Sequence, residues 1–148
     1  MLMVCKYFMQ DNVSKKPSVK IHEPVNLYGC ELDDDVFIGP FVEIQSDAYV
    51  GKRSRIASHS FICSHVSIGE DCFIGHGVMF TNDKIHVRNF DKGTLKTKVG
   101  NDVFIGSNAT ILPVEICSNV TIGAGSVVTK DIVEPGTYAG NPAKKLDI

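Results

Sequence analysis

The stretch VFIGPFVEIQSDAYVGKRSRI, residues 36–56, carries an aliphatic side chain at every sixth position, namely Ile38, Ile44, Val50 and Ile56. The same spacing runs from Leu32 to Phe80, and it resumes from Val99 to Val128. A small or apolar residue follows most of these aliphatics after four positions, and a glycine often follows directly. A repeat of this length indicates a solenoid, in which each unit is stable only within the stack.

The period of six excludes an α-helix, whose apolar positions recur every 3.6 residues. Each hexad therefore predicts one short strand followed by a corner, and three hexads close a triangle. Successive triangles stack at the spacing of hydrogen-bonded strands, about 4.8 Å. We expect the glycines to lie at corners because glycine tolerates positive φ.

The repeat is broken at two places. The step from Ile111 to Ile116 has five residues and includes Pro113, which predicts a one-residue deletion at a corner. The interval from Phe80 to Val99 is three times as long as a hexad, so roughly two hexads of extra chain must leave the prism. We predict a loop at about residues 83–97, because its many charged side chains are too polar to be packed inside.

The hexads divide the chain into three parts. Residues 1–24 show no hexads and are predicted to form an irregular cap or an edge strand, residues 25–143 a β-helix domain, and residues 144–148 a tail.

The net charge is −2 with 15 scattered Lys and Arg, which argues against a nucleic-acid surface. No apolar run is long enough for a membrane span or a signal peptide. Five cysteines without C-x-x-C spacing indicate free thiols and a cytoplasmic protein.

The hexads, together with VGNDVFIGSNATI (99–111) and TIGAGSVVTKDIVEPGTYAGNPAK (121–144), resemble the hexapeptide-repeat acyltransferases. The resemblance covers about residues 25–143. It implies an all-β left-handed parallel β-helix, a homotrimer, and acyl transfer at sites between neighbouring subunits.

Asn82 is the most informative polar residue at the break. In the galactoside and maltose acetyltransferases of this family, a histidine at the corresponding position is the general base on a sugar hydroxyl. An amide cannot accept that proton, although it can orient a nucleophile by hydrogen bonding. An amine with a pKa near 8 is partly neutral at pH 7 and attacks unaided. Asn82 therefore favours an amino acceptor, unless its side chain only caps the loop entry.

The segments FTND (80–83) and VEIQ (42–45) are similar to those of N-acetyltransferases that act on dTDP- or UDP-linked 3-amino sugars. In these relatives an acidic residue lies one coil before the asparagine, whereas this chain has Ser64 there, beside His65. The predicted catalytic residues are Asn82, His65 and His76. The predicted substrate-binding residues are Ser64, Asp83, Lys84, Arg88 and Glu43. His65 and Asp83, separated by one full triangle of hexads, are expected to stack on adjacent coils, either orienting the imidazole or forming a surface contact.

The resemblance also implies that acetyl-CoA is the cosubstrate. The residues expected along its path are Gly106, Ser107, Ala124, Thr129, Lys130 and Lys144. No metal site is predicted: the zinc-dependent carbonic anhydrases of this fold use two histidines five residues apart, and no such pair exists in the sequence.

The sequence thus favours an acetyl-CoA-dependent N-acetyltransferase acting on a nucleotide-linked amino sugar in a surface-polysaccharide pathway. Two alternatives stay open. One is a sugar O-acetyltransferase with His65, His76 or His86 as general base. The other is a non-catalytic β-helix scaffold, which would have no need of the GAGSVVTK segment (123–130).

Overall fold

A computed structural model describes residues 9–83 and 95–148, which form 21 short strands and contain no helix. The strands belong to three sheets, and each sheet is one face of a triangular prism. All pairings between coils are parallel, and only the last strand, β21, pairs antiparallel. The predicted left-handed parallel β-helix is the observed fold.

Each face collects every third strand of the chain. The first face contains β1 (Met9–Asp11), β4 (Asn26–Tyr28), β7 (Glu43–Ile44), β10 (Phe61–Ile62), β13 (Met79–Phe80), β16 (Thr110–Ile111) and β19 (Val127–Val128). The second face contains β2 (Ser14–Lys15), β5 (Glu31–Leu32), β8 (Tyr49–Val50), β11 (Val66–Ile68), β14 (Thr97–Val99) and β17 (Glu115–Ile116). The third face contains β3 (Lys20–Ile21), β6 (Phe37–Ile38), β9 (Arg55–Ile56), β12 (Phe73–Ile74), β15 (Phe104–Ile105), β18 (Val120–Ile122), β20 (Gly136–Ala139) and β21 (Lys144–Lys145).

The hexad aliphatics form the core, as predicted. Ile38, Ile56, Ile74 and Ile105 pair in register on successive coils of the third face, and each is completely buried. The columns from the other two faces are buried to the same degree. Because a single coil exposes its upper and lower edges, this burial is achieved only by stacking.

The strand register confirms the insertion. Ser67 pairs with Tyr49 on the preceding coil and with Lys98 on the following coil. The second of these intervals is much longer than the first, so the extra residues are added to one coil without disturbing its pairing. They leave the prism after β13 and return before β14, where the backbone N–H of Leu95 donates to the carbonyl of Asn82 at 3.0 Å. The central residues of this loop, 84–94, lie outside the described residues.

The described part of the N-terminal segment, residues 9–24, forms edge strands, which was one of our two alternatives, and not an irregular cap. Three short strands, β1 to β3, pair in parallel with the next coil. Val13, Val19 and Val25 continue the apolar series at intervals of six. The five-residue step from Leu27 to Leu32 shifts the series by one position. A search for a strict period of six therefore does not detect this first coil.

The corner glycines also require a different explanation from the one we expected. The residues with positive φ are mostly not glycine, and include Asp35, Arg53, His59, His65 and Asn108. The glycines that follow the core aliphatics lie where two coils approach most closely. A Cβ on Gly75 would lie 2.7 Å from the backbone nitrogen of Ser107, and one on Gly51 would lie 2.6 Å from the carbonyl carbon of Gly69. Close backbone approach, not positive φ, therefore selects glycine at these positions.

Candidate functional site

The three corners of the prism are named here by one residue each. The Asn82 corner joins the first and second faces and includes residues 45–47, 63–65 and 81–83. The His76 corner joins the third and first faces and includes residues 57–59, 75–77, 106–108 and 123–125. The Arg53 corner joins the second and third faces. Most of the predicted site residues that the structure describes lie at the first two of these corners, whereas Glu43 lies on β7 and Lys144 on β21.

The Asn82 corner brings together Ser64, His65, Asn82 and Asp83 on adjacent coils. The carbonyl of Asn82 closes the neck of the inserted loop, and that of His65 accepts the N–H of Thr97 at 3.2 Å as the chain returns. Asn82 is half-buried and Asp83 is exposed. Neither side chain hydrogen-bonds to His65 in the described residues, so the expected pair of His65 and Asp83 is one of proximity only. Lys84 and Arg88, like His86, lie outside the described residues.

A chain of hydrogen bonds leads along the first face to this corner. The Glu43 carboxylate accepts from Asn26 Nδ2 and from Gln45 Nε2, both at 3.1 Å. The Gln45 Oε1 atom in turn accepts from the backbone N–H of Ser64 at 3.3 Å. Each carboxylate oxygen of Glu43 thus has one internal partner. Gln45, which we did not select from the sequence, links Glu43 to Ser64.

Cys63 is a buried thiol at the same corner. Burial raises the pKa of Cys63 to about 11, and the Asp83 carboxylate adds to the increase. A thiol with this pKa is almost entirely protonated at neutral pH, and a thiolate is needed for nucleophilic attack. Cys63 therefore serves as packing under the corner and not as a nucleophile.

The His76 corner holds a regular column of equivalent positions. Ser58, His76, Ser107 and Ala124 follow one another on successive coils, and His76 and Ala124 are exposed. The carbonyl of each of the first three accepts an N–H from the next coil, at 3.0, 2.8 and 2.9 Å respectively. The structure therefore places His76 with Gly106, Ser107 and Ala124, three of the residues predicted to bind acetyl-CoA.

The other predicted donor residues lie elsewhere. Thr129 and Lys130 follow β19 and so return to the Asn82 corner. Lys144 is exposed on β21, at the end of the third face. Its neighbour Lys145 forms an ion pair with Glu134 at 2.9 Å, which raises the pKa of the lysine. Within one chain, the first face separates the two groups of residues.

No group of three or more His, Cys, Asp or Glu side chains suited to a metal ion occurs within residues 9–83 and 95–148. The same two ranges contain no helix that is long and apolar enough to cross a membrane.

A β-prism of hexads with one inserted loop and a regular corner column defines the hexapeptide class of β-solenoid proteins. Residues 29–64 match the family described as bacterial transferase hexapeptide (six repeats). Residues 65–79 and 96–130 match the family described as hexapeptide repeat of succinyl-transferase. The chain belongs to the hexapeptide-repeat transferase family.

Known proteins resemble the chain over most of its length. The bifunctional protein GlmU from Streptococcus uberis is 37% identical over 113 residues, which cover 75% of this chain and 22% of GlmU. The chain thus spans about a fifth of the length of this relative. A hexapeptide transferase family protein from Anaplasma phagocytophilum superposes with a TM-score of 0.77 at 20% identity, covering 92% of this chain and 78% of that one.

A further solved structure is a variant of perosamine N-acetyltransferase from Caulobacter crescentus, in complex with CoA and GDP-perosamine. It superposes with a TM-score of 0.68 at 22% identity, and the match covers 92% of this chain and 58% of that one. At this level of identity the likeness establishes a shared fold.

Proposed function

We propose that the protein is an acetyl-CoA-dependent N-acetyltransferase whose acceptor is the amino group of a nucleotide-linked sugar. The observation that carries this proposal is Asn82, an amide at the neck of the inserted loop. The family resemblance implies that the members that acetylate hydroxyl groups have a histidine base at the position corresponding to Asn82. An amide is suited to an acceptor that needs no base before it attacks.

The placement of the residues supports a site made by two subunits. The donor column at the His76 corner and the acceptor group at the Asn82 corner lie at opposite edges of the first face. They converge if the His76 corner of one subunit meets the Asn82 corner of a second. A closed ring of three copies makes this contact three times, with the first faces turned towards the axis. In the expected homotrimer, both groups of residues would therefore line the same site.

The reaction needs few protein groups. The neutral amine attacks the thioester carbon, the C–N bond forms, and the carbon–sulfur bond breaks as CoA leaves as a thiolate. The proton lost by the amine passes to that thiolate or to a histidine at the site, so the products are an amide and CoA. Asn82 orients the amine, and a backbone N–H facing the thioester stabilises the oxyanion.

The known ligands of a relative are compatible with this proposal. Perosamine N-acetyltransferase, which shares the fold, was solved with CoA and a nucleotide-linked amino sugar, GDP-perosamine. Both of the ligands that we propose are thus known for one protein of this fold. For this chain the sequence similarity to dTDP- and UDP-linked amino-sugar enzymes favours one of those two nucleotides.

An O-acetyltransferase is the second candidate, because His65 is half-buried at the same corner as Asn82. In that case His65 would take the proton of a sugar hydroxyl. A non-catalytic scaffold is the third candidate, and it requires no affinity for acetyl-CoA. The two are distinguished from the main proposal by the acceptor that is used and by whether acetyl-CoA raises the melting temperature.

A thiol-release assay tests the proposal. Acetyl-CoA is incubated with the protein and a panel of dTDP-, UDP- and GDP-linked sugars that carry either an amino or a hydroxyl group at the variable carbon. We expect release of CoA with at least one amino sugar and a much lower rate with its hydroxyl analogue. Absence of turnover with every amine would refute the proposal.

The role of Asn82 is tested by Asn82→Ala, which we expect to lower kcat by about a hundredfold, since misplaced reactants cost about this much. Asn119→Gly is the matched control. It removes an exposed amide at the Arg53 corner, where φ is +61° and glycine is accommodated. An unaltered rate in Asn82→Ala would remove Asn82 from the site.

A further inference from the structure

The third face carries an outward column of cationic and aromatic side chains. The strand register aligns Lys20, Phe37, Arg55, Phe73 and Phe104 on consecutive coils. The guanidinium carbon of Arg55 lies 4.4 Å from the centroid of the Phe37 ring. The rings of Phe73 and Phe104 stack with centroids 5.0 Å apart and an interplanar angle of 10°. This arrangement gives a flat aromatic surface interrupted by one cation.

Arg55 differs sharply from its neighbour Arg53. The Arg53 guanidinium binds Asp71 through two hydrogen bonds, of 2.7 and 2.8 Å, and also contacts Glu70 at 3.3 Å. Arg55 forms no ion pair with any residue in the described ranges, and it rests on an aromatic ring. Its planar N–H donors therefore stay available to an anion, and their geometry suits phosphate oxygens.

A cavity of about 320 Å³ lies between this column and the His76 corner. Phe37, Arg55 and Phe73 form one wall, and Pro40, Ser58 and His76 are among the residues that complete it. A second cavity of about 360 Å³ lies on the other side of Arg55, where Lys20 adds positive charge, Asp35 adds negative charge and His22 adds an imidazole ring. The first cavity is within the range of small-molecule sites.

The position of the cavity relates it to the proposed donor path. Ser58 and His76 belong to the same corner column as Ser107 and Ala124, but they lie on earlier coils. A ligand in the cavity and a pantetheine arm would therefore occupy successive parts of the same groove, with their ends adjacent. Two substrates placed in this way leave the reacting groups between them.

We propose that this cavity binds the nucleoside diphosphate part of the acceptor. Arg55 contacts the phosphate oxygens, and the planar base lies against the aromatic column beside Phe73. The inference rests on the proposed function in taking the acceptor to be nucleotide-linked. It assigns specificity for the nucleotide to the third face, while the amine is oriented by Asn82 of the adjoining subunit.

Isothermal titration of UDP, dTDP, GDP and inorganic pyrophosphate into the full-length protein, without acetyl-CoA, tests the assignment. We expect Arg55→Ala to weaken the binding of the preferred nucleoside diphosphate by about tenfold or more, because charged hydrogen bonds are lost. Arg53→Ala is the matched control and should change the dissociation constant by less than about twofold, since Arg53 is already paired. Acetyl-CoA should bind equally to both variants.

Phe73→Leu distinguishes the contribution of the base to binding from that of the phosphates. It keeps an apolar side chain but removes the ring, so binding of the nucleotide should weaken while that of pyrophosphate stays unchanged. Equal weakening of both ligands would contradict the placement of the base.

Two results overturn the inference. One is an unchanged nucleotide affinity in Arg55→Ala. The other is a change in the molar mass of Arg55→Ala by light scattering, which would identify the third face as a contact between copies of the chain.

The inference and the proposed function can fail separately. If no nucleotide binds but the protein acetylates an amine without a nucleotide, the cavity assignment fails and acetyl transfer stands. If nucleotides bind through Arg55 but no amine is acetylated, the proposed function fails and the binding site stands.

Discussion

The His76 corner and the Asn82 corner lie at opposite edges of one face, yet they are built very differently. At the His76 corner, the carbonyl of one coil accepts an N–H from the next, without interruption from Pro40 to Gly125. At the Asn82 corner, the corresponding hydrogen bonds among the described residues run only from Asp11 through Gly29 to Asp47, and the inserted loop begins at this corner after Asp83. The regular corner thus offers a rigid groove, whereas the interrupted corner offers side chains that are free of the repeat. Our proposal places the acceptor amine at the interrupted corner and the acetyl donor at the regular one.

The largest effect that tests this contrast comes from the core beneath the break. Phe80 is the last core residue before the loop and is completely buried. We expect Phe80→Ala to lower the free energy of unfolding by about 3–5 kcal/mol, measured by urea denaturation. Phe104→Ala is the control: it removes the same side chain from the outer face, where 45% of the residue is exposed. We expect it to cost about 1 kcal/mol through its stack with Phe73. Similar losses in the two variants would contradict the assignment of interior and exterior.

The next effect concerns catalysis at the Asn82 corner. If an amine is the acceptor, His65 is not an essential base, so His65→Ala should lower kcat by less than about tenfold. Loss of a general base typically costs about a hundredfold or more. The pH dependence of kcat in the variant should follow the pKa of the amine. A loss of a hundredfold or more, with no rate recovered at higher pH, would favour the hydroxyl acceptor.

Substitution of corner glycines should show that close approach governs the regular corner. A Cβ on Gly75 would lie 2.7 Å from the nitrogen of Ser107, whereas one on Gly125 would meet no atom within 4 Å although φ there is +68°. We expect Gly75→Ala to cost about 2 kcal/mol through overpacking and Gly125→Ala about 1 kcal/mol through backbone strain. Thermal unfolding with both variants checks this order. A larger loss of stability in Gly125→Ala than in Gly75→Ala would indicate that positive φ is the main reason for these glycines.

The smallest effect is expected at the exposed Arg53 corner. The Arg53 guanidinium lowers the pKa of Asp71 by hydrogen bonding and by charge. A depressed carboxyl pKa stabilises the folded state above the unfolded value of about 4, and this contribution is lost as the pH falls through the folded value. Arg53→Ala should therefore lower Tm slightly at pH 7 and not at pH 2. A difference that persists at pH 2 would show that Arg53 acts through packing instead.

Much of the fold could be predicted because each hexad in the sequence corresponds to one strand of the solenoid, and each strand pairs with the strands of adjacent coils. The first coil was missed because the step from Leu27 to Leu32 is one residue short, so a strict period loses phase there. The glycines were explained wrongly because a sequence cannot distinguish positive φ from close backbone approach. Both errors concern local geometry and not the repeat itself.

The site was less predictable than the fold. Asn82 was identified from its position at the break in the repeat, whereas Ser107 was identified only through the family resemblance. Gln45 and Arg55 were missed because their roles depend on neighbours a full coil away. Arg55 did leave a signal, since Phe37, Arg55 and Phe73 recur at intervals of one full coil. A search at the period of the coil, and not of the hexad, would have found the outward column.

Subunit mixing tests the central claim most directly, namely that one site is assembled from the Asn82 corner of one subunit and the His76 corner of another. Asn82→Ala damages the first corner, and Ala124→Phe blocks the second with a bulky side chain at an exposed position. Each variant alone should be nearly inactive in the thiol-release assay. After the two are unfolded together and refolded in equal amounts, random trimers should contain both intact corners at about a quarter of their sites. We therefore predict recovery of about a quarter of the wild-type activity, and a mixture no more active than its two parents would contradict the shared site.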